Sequence, residues 1–301
     1  MLRSAVRGLF RRSSPLLPET APVTVAAGTD GFTPLFVPQP ESPVVWPAAR
    51  LALNHQLWGQ GFIFPGGEIE TLRLARPLGV SASGSLLIAG AGSGGPACTV
   101  ASNLGAWVTA VDTDPSLLAA ARRLVGQAQL GKKIVIAAWD PDNPTLGQKT
   151  HHHCLALEPF RGPHPEPILD ALTRALKPGG HIVIAELTAP EPLDGADPTV
   201  RRWTDLEYRD PAQLLAPVAI TRMLKRLGLD VRVVEDISQR HLEHAMLGWR
   251  VLLRDIGPKP DRHEAAHLVR EAELWLLRRR LIRDGRLRMM RWHAIGHAPV
   301  V

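Results

Sequence analysis

Glycines and one aspartate mark the part of this sequence where residue types and spacing point to chemistry. Four glycines follow the apolar run at residues 85–89, and a second apolar run ends on Asp112, 22 residues after the first of them. Glycines at a strand-to-helix turn let a ligand lie against bare backbone, and an acid at the tip of the next strand accepts hydrogen bonds from ribose hydroxyls. The pattern predicts a site for an adenosine-containing cofactor. The four glycines are Gly90, Gly92, Gly94 and Gly95.

The glycine turn by itself fits two kinds of cofactor. Gly90, Gly92 and Gly95 match the G-x-G-x-x-G fingerprint of dinucleotide binding, whereas Gly90, Gly92 and Gly94 match the G-x-G-x-G turn that binds S-adenosylmethionine. A nicotinamide-dependent oxidoreductase needs a second catalytic constellation, such as Tyr-x-x-x-Lys. Tyr208 is the only tyrosine, and the fourth residue after it is an alanine. This argues against an oxidoreductase of that kind.

Strands and helices alternate along the chain around this turn. The predicted strands span residues 85–89, 107–112, 133–138, 152–157, 181–186, 230–236 and 287–295. The predicted helices from the turn onward span residues 95–104, 115–125, 167–176, 217–227, 241–254 and 262–283. This rhythm predicts an α/β fold with a doubly wound, mostly parallel seven-stranded sheet.

Further motifs resemble those of class I S-adenosylmethionine-dependent methyltransferases. The turn LKPGG at residues 176–180, followed by a strand that ends in an acid, resembles the turn before the fifth strand of that superfamily. A third strand that closes on Asp140 and two late strands also resemble it, and the likeness covers residues 45–297. The resemblance implies the Rossmann-like methyltransferase fold, S-adenosylmethionine as cofactor, and methyl transfer to a small-molecule acceptor.

The segment LWGQGFIFPGG at residues 57–67 is similar to the lid loop of phosphoethanolamine-methyltransferase-like small-molecule methyltransferases. Predicted helices flank it, so the resemblance implies an N-terminal helical lid. Glycines on both sides supply backbone freedom. We expect the aromatic tip at residues 62–64 to be exposed and to close over a bound ligand.

The resemblance assigns a role to each candidate site residue. The glycine backbone lets the methionine part and the ribose approach, and Asp112 takes the ribose hydroxyls. Asp140 accepts the adenine amino group, with Trp139 beside the ring. Glu158, at the mouth of the fourth strand, faces the reacting centre as the candidate catalytic residue. The implied cofactor-binding residues are Gly90, Gly92, Gly94, Asp112, Trp139 and Asp140, and no metal is implied.

The residues themselves leave simpler interpretations open. Asp112 can cap the turn into the next helix, and Asp140 sits in a D-P-D-N turn of common loop composition. Glu158 can be an ordinary loop acid, because methyl transfer by direct displacement requires alignment of nucleophile and sulfonium and has no mandatory base.

One position departs from the superfamily pattern. The family commonly has an acid at the last position of the first strand, and this chain has Ala89. Loss of a charge-assisted contact there weakens or abolishes cofactor binding unless another acid substitutes. A non-catalytic binding protein that keeps the methyltransferase fold is therefore the alternative function.

The chain divides by composition into an arm and a domain. Residues 1–44 are predicted to be a flexible, basic and proline-rich arm, and residues 45–301 a methyltransferase-like domain with a helical insertion at 240–284. Residues 1–14, rich in arginine and serine, also fit a mitochondrial presequence. Because the chain has only two cysteines and no apolar run as long as a membrane span, we expect a cytoplasmic protein.

The net charge of +6 is concentrated in two basic stretches. Residues 1–15 carry four arginines without an acid, and residues 278–291 carry seven arginines and one aspartate. We expect the second stretch, Arg278–Arg291, to be a solvated surface remote from the glycine turn and dispensable for cofactor binding. A nucleic acid or an anionic membrane surface is the alternative partner. The sequence sets no oligomeric state.

A run of histidines, His151–His153, followed by Cys154 consists of metal-ligand residue types. Successive side chains of a strand point to opposite faces, so these residues do not make a compact ligand cluster. We therefore expect no metal site here.

Overall fold

A seven-stranded sheet forms the centre of the part of the chain that the structure describes. This computed structural model describes residues 44–162, 164–255 and 262–296, so the predicted arm lies outside it apart from Val44. The strand order is β3-β2-β1-β4-β5-β7-β6, and β7 is antiparallel to both of its neighbours. The predicted fold class is confirmed. The strands are β1 (Ser85–Ala89), β2 (Trp107–Asp112), β3 (Ile134–Ala138), β4 (His151–Leu157), β5 (Leu176–Thr188), β6 (Leu229–Asp236) and β7 (Arg288–Gly296).

Helices precede the sheet and connect most of its strands. They are α1 (Ala48–Trp58), α2 (Gly67–Ala75), α3 (Gly95–Leu104), α4 (Pro115–Gln127), α5 (Pro165–Ala175), α6 (Pro198–Glu207), α7 (Pro217–Arg226), α8 (Ser238–Asp255) and α9 (Arg262–Arg283). The carboxylate of Asp114 accepts hydrogen bonds from the first turn of α4, and Pro115 takes the first helical position, as predicted. Among the described helices, none combines the length and the apolar character that a membrane span requires.

Side-chain alternation along β1 divides the core between the two faces of the sheet. Leu86 and Ile88 belong to one buried cluster, which includes residues of α2, α3, α6 and α9. Leu87 and Ala89 belong to a second buried cluster, which includes residues of α5 and α7. A central strand that is buried on both faces explains the continuous apolar run in the sequence.

The strand β5 begins earlier than the sequence predicts. The residues Lys177–Gly180 were predicted to be a turn before the strand, yet they lie within β5. Leu176 pairs with His151, and the register shifts before the regular pairing of His153 with His181. Gly179 takes a positive φ of 74° within this irregular start. The strand therefore absorbs the glycine turn as an irregularity instead of starting after it.

The helices α1, α8 and α9 share a small core with the predicted lid loop. Phe62 is only 6% exposed and packs in a buried cluster that contains Trp58, Trp249 and Trp275. The expectation of an exposed aromatic tip is therefore wrong for Phe62. Gly248 lets α8 approach α1 closely, because a Cβ there would lie 2.4 Å from the Trp58 ring.

Candidate cofactor and acceptor site

The glycine turn between β1 and α3 requires bare backbone. Gly90 has a φ of 72°, and a Cβ there would lie 2.0 Å from the carbonyl oxygen of Leu157 at the end of β4. The amides of Gly90 and Ala91 both donate to the carbonyl of Val111 on β2, at 3.0 and 3.1 Å. The turn is thus fixed between the ends of two neighbouring strands, where the order of the parallel strands reverses. Ligands of doubly wound folds bind at this kind of position.

Asp112 joins the end of β2 to the glycine turn. Its Oδ2 accepts from the Gly92 amide at 2.8 Å, and its Oδ1 accepts from the amides of Thr113 and Asp114 at 2.8 and 3.2 Å. Burial raises the pKa of this carboxyl group, although the three backbone donors act in the opposite direction. A carboxylate offers about four lone-pair sites, so Oδ2 retains one for a ribose hydroxyl. A second hydroxyl would have to displace a backbone donor, of which the Asp114 amide is the most distant.

A cavity of about 320 Å³ opens at the carboxyl ends of the central strands. It brings together four of the predicted site residues, namely Gly90, Asp112, Trp139 and Glu158. Its volume is at the lower end of the range for small-molecule sites. Gly92 and Gly94 do not line the cavity: a Cβ on Gly92 would meet Ile63, and a Cβ on Gly94 would meet Ala121. All three glycines shape the turn, and Gly90 also lines the cavity.

Asp140 lies outside the group of residues that line the cavity. Its side chain accepts a hydrogen bond from the amide of Asp142, at 2.9 Å, within an exposed turn. Its neighbours Trp139 and Pro141 do line the cavity. The structure thus places the aromatic and proline residues at the cavity and leaves the predicted adenine contact of Asp140 without geometric support.

Ala89 is fully buried in the second core cluster and does not line the cavity. It pairs with Val111 on one side and Ala156 on the other. An acid at this position would therefore enter an apolar layer, at a desolvation cost that a partner would have to offset.

The predicted lid loop lies over the glycine turn and is tied to it. The amide of Gly95 donates to the carbonyl of Gly61 at 2.8 Å, and His55 Nε2 lies 2.9 Å from Ser93 Oγ. The residues of this segment that line the cavity are Ile63, Phe64 and Pro65. The loop therefore contributes one apolar wall of the cavity.

Glu158 is the centre of a buried ionic cluster. Its carboxylate lies 2.9 Å from Arg161, 3.4 Å from Arg209 and 2.9 Å from Arg278. Burial by itself would raise the pKa of Glu158, but the three guanidinium groups outweigh it and hold the pKa well below its usual range. The backbone of Glu158 is left-handed, with a φ of 43°, which is uncommon for a residue other than glycine. A carboxylate held in this way is a structural anion and a poor proton acceptor.

Two more acids complete this cluster. Glu186 near the end of β5 accepts from Arg209 at 2.8 Å, and Glu207 at the end of α6 lies 3.3 Å from Arg161 and 3.7 Å from Arg278. The cluster thus contains three arginines and three glutamates. Its arginines offset its carboxylates, and pairing is what makes burial of these charges tolerable.

Arg278 contradicts the expectation that residues 278–291 form a solvated surface away from the glycine turn. Arg278 is 4% exposed, lines the cavity and pairs with Glu158. Glu158 directly follows Leu157, whose carbonyl packs against Gly90 of the glycine turn. Other arginines of this stretch also have acidic partners. The pairs are Arg280–Asp284, Arg286–Asp197, Arg288–Asp236 and Arg291–Glu235. No motif in the sequence marks Arg278, because its partners come from distant segments.

Several polar atoms of cavity-lining residues have no hydrogen-bond partner among the described residues. They are Glu207 Oε2, His241 Nε2, Trp275 Nε1 and Arg278 Nε. An unsatisfied buried polar atom costs about 1–3 kcal/mol. Burial lowers the pKa of His241 to about 3, with Arg278 acting in the same direction, so its imidazole is neutral. The sequence analysis assigned none of these four residues to the site, and they come from three different helices.

The predicted strand histidines make hydrogen bonds away from the cavity. His152 Nδ1 lies 2.9 Å from Ser85 Oγ, and its Nε2 lies 3.1 Å from Lys177 Nζ. His153 accepts from the His181 amide at 3.3 Å. Within the described ranges, no group of three or more histidine, cysteine or acidic side chains has the geometry to hold a metal ion.

Comparisons with known proteins give a match of part of the chain to one family model and similarity to several solved structures. Residues 86–180, which run from the second residue of β1 to the beginning of β5, match the family model of a methyltransferase domain. No curated protein sequence matches the chain.

Three solved structures illustrate the shared fold. Phosphoethanolamine N-methyltransferase 2 of Haemonchus contortus, in complex with S-adenosyl-L-methionine, has 20% identity and a TM-score of 0.73. The match covers 82% of this chain and 56% of that one, so this chain spans a little over half its length. A putative sarcosine dimethylglycine methyltransferase of Galdieria sulphuraria has 15% identity and a TM-score of 0.65, with coverage of 83% and 99%.

The [4+2]-cyclase SpnF has 17% identity and a TM-score of 0.63, with coverage of 85% and 100%. At these identities the similarity shows the fold alone. The chain therefore has the fold of class I S-adenosylmethionine-dependent methyltransferases, and its residues 86–180 match the methyltransferase-domain family.

Proposed function

We propose that this protein catalyses methyl transfer from S-adenosylmethionine to a small-molecule acceptor. The observation that carries the proposal is the cavity in which the glycine turn, Asp112 and Trp139 meet at the ends of β1 to β3. The family match and the fold of a relative that holds S-adenosyl-L-methionine support the same cofactor. When bound, S-adenosylmethionine would supply an activated methyl group for transfer to an acceptor nucleophile, with S-adenosylhomocysteine as the leaving group.

The residues present fit this cofactor. Gly90 offers backbone without a side chain, Asp112 keeps one lone-pair site for a ribose hydroxyl, and Trp139 provides an aromatic wall for an adenine ring. The protein would align the acceptor with the methyl group and exclude water from the reacting atoms. The apolar wall formed by Phe64 and its neighbours is suited to excluding water. The role of Asp140 at the adenine rests on resemblance alone.

Glu158 is proposed here as the anchor of the ionic cluster, not as a base. Its three guanidinium partners keep it ionised and occupied, so a nucleophile would compete with them for its oxygens. Direct displacement at a methyl group has no mandatory base, since alignment supplies most of the rate enhancement.

A titration tests the cofactor assignment. Calorimetry should show that S-adenosylhomocysteine binds and that NADH does not. Asp112→Ala should weaken S-adenosylhomocysteine binding at least tenfold, because it removes the ribose acceptor and the Gly92 contact. Asp194→Ala, in an exposed loop, is the matched control and should bind like the wild type. Unchanged affinity in Asp112→Ala would remove the basis of the proposal.

A non-catalytic or differently catalytic protein with the same fold is the second candidate. Two observations favour it: Ala89 stands where the superfamily commonly has an acid, and a [4+2]-cyclase shares the fold. Cofactor binding without methyl transfer to any acceptor would identify this case.

The assignments of domains, location and further partners also remain proposals. We propose an N-terminal arm at residues 1–44, a methyltransferase-like domain at 45–301 and a helical insertion at 240–284, the last supported by α8 and α9. A cytoplasmic location is supported by Cys98 and Cys154, which are both free thiols.

Residues 278–291 are a weaker candidate for binding nucleic acid or an anionic membrane surface than their sequence indicated, because five of the seven arginines there have acidic partners.

A further inference from the structure

Four buried polar side chains line the end of the cavity that is formed by α6, α8 and α9. Glu207 Oε2 and His241 Nε2 can accept a hydrogen bond, whereas Trp275 Nε1 and Arg278 Nε can only donate one. None of these atoms has a partner among the described residues, although all four residues are more than nine-tenths buried. Buried polar groups in proteins are almost always hydrogen-bonded. This concentration on one wall therefore points to a ligand that carries both a donor and an acceptor.

The arginines of the cavity already have acidic partners. Arg50 Nε donates to Glu271 at 2.9 Å, and both side chains are buried. Arg161 and Arg278 each contact both Glu158 and Glu207. A phosphate or carboxylate on the acceptor would have to displace these glutamates, and the displaced acids would then be buried without a counter-charge. The paired arginines thus disfavour an anionic acceptor.

The remaining lining around this end is largely apolar. It includes Ile237 after β6, Leu274 on α9 and Met289 on β7. Glu158 connects this region to the glycine turn, because it contacts Arg278 and directly follows Leu157, whose carbonyl abuts Gly90. An acceptor bound here therefore lies beside the place proposed for the cofactor.

We propose that this end of the cavity binds an uncharged, largely apolar acceptor whose hydroxyl donates a hydrogen bond to His241 and whose acceptor atom receives one from Trp275. The inference rests on the proposed methyl transfer and specifies its substrate class. His241 suits this role because its imidazole is neutral and its side chain is buried where it lines the cavity. The ring is held 5.6 Å from Trp275, centroid to centroid, so the two nitrogen-bearing rings are neighbours.

Three related probes test the charge and the hydrogen bond separately. They are 4-hydroxyacetophenone, acetophenone, which lacks the hydroxyl, and 4-acetylphenyl phosphate, which replaces the hydroxyl with an anion. Each is titrated by calorimetry into the full chain at pH 7, with and without saturating S-adenosylhomocysteine. We expect 4-hydroxyacetophenone to bind at least tenfold more tightly than the phosphate and at least fivefold more tightly than acetophenone.

Variants at His241 test whether this residue accepts the hydrogen bond from the hydroxyl of the probe. His241→Phe keeps an aromatic ring and removes the nitrogen, so it should lower the affinity for 4-hydroxyacetophenone to that for acetophenone and leave acetophenone itself unchanged. His241→Gln keeps a hydrogen-bonding group and should restore part of the difference. His164→Gln, at an exposed histidine, is the matched control and should behave like the wild type.

The outcomes separate this inference from the proposed function. Equal or tighter binding of the phosphate, no binding of 4-hydroxyacetophenone, or an equal loss of both neutral probes in His241→Phe would overturn the inference. If His241→Phe does not fold, the wild-type comparison and His241→Gln decide. Failure of S-adenosylhomocysteine to bind would overturn the proposed function instead, and the titrations without it would still test the acceptor end.

Discussion

The two ends of the cavity are built in different ways. The cofactor end is a continuous stretch from β1 to the end of β2, held by backbone hydrogen bonds such as those from Gly90 and Ala91 to Val111. The acceptor end is assembled from charged side chains far apart in sequence, and Arg278 lies 120 residues from its partner Glu158. The first end depends on the absence of side chains, and the second depends on side chains that neutralise one another. Substitutions should therefore affect them by different mechanisms and to different extents.

The largest effect is expected from Gly90→Ala. The new Cβ would lie 2.0 Å from the Leu157 carbonyl oxygen, at a backbone φ of 72° that disfavours alanine. Neither backbone can move without separating β1 from its neighbours, so we expect a loss of about 4–5 kcal/mol in the free energy of unfolding. Chemical denaturation measures this loss, and calorimetry should show that S-adenosylhomocysteine no longer binds.

Gly126→Ala is the matched control for that substitution. Gly126 lies in α4, and a Cβ there meets nothing within 4 Å. Alanine should stabilise the helix by about 0.5–1 kcal/mol. A Gly90→Ala protein as stable as the wild type would show that the glycine turn accommodates side chains and that the contrast between the two ends is wrong.

A somewhat smaller effect is expected from Arg278→Met at the acceptor end. Loss of one partner of a buried ion pair usually costs about 3–5 kcal/mol, because it leaves a buried charge without compensation. The lower value, about 3 kcal/mol, applies here because Glu158 keeps Arg161 and Arg209. Denaturant unfolding should show this loss, whereas the affinity for S-adenosylhomocysteine should fall less than it does in Asp112→Ala.

Arg280→Gln is the control that separates the loss of a buried ion pair from the loss of one positive charge on α9. Arg280 is an exposed arginine of the same helix, 3.8 Å from Asp284, and pairs of this kind contribute less than about 1 kcal/mol. Equal stability losses in the two variants would mean that the net charge of α9 matters and that the buried cluster does not.

The two ends of the cavity also differ in how much of each could be predicted from the sequence. The glycine turn, Asp112 and the succession of strands along the chain follow from local patterns, since apolar runs and turn residues encode them within a few dozen positions. The ionic cluster depends on pairs that only the fold brings together, so Arg278 looked like part of a solvated basic stretch. The burial of Phe62 was missed for the same reason, because its neighbours Trp249 and Trp275 belong to α8 and α9. Asp140 shows the converse case, in which a local motif was found but its carboxylate caps its own turn.

The smallest effect, a change with pH, should also differ between the two ends. Burial raises the pKa of Asp112 above its ordinary value of 3.8, whereas the arginines lower the pKa of Glu158 below its ordinary value of 4.5. As the pH is lowered, Asp112 takes up a proton at a higher pH than an ordinary aspartate does and becomes a weaker acceptor for a ribose hydroxyl, while Glu158 keeps its charge. We expect the affinity for S-adenosylhomocysteine to fall as the pH is lowered from 7 to 5, by at most about tenfold per pH unit, because a single carboxyl group takes up the proton.

The readout of this last prediction must be affinity and not stability. Protonation of Asp112 relieves the burial of a charge and therefore stabilises the ligand-free fold. Burial lowers the pKa of His153 from 6.5 to about 4 and that of His241 from 6.5 to about 3. Below pH 6.5 the unfolded chain therefore binds protons at these positions that the folded chain does not bind. This difference lowers the free energy of unfolding as the pH falls. These opposing effects obscure the carboxylate in an unfolding experiment. Calorimetry on folded Asp112→Asn, which cannot titrate at this position, should give an affinity that no longer changes between pH 7 and 5. An unaltered pH dependence in that variant would assign the titration to another group and remove the distinction between the two ends.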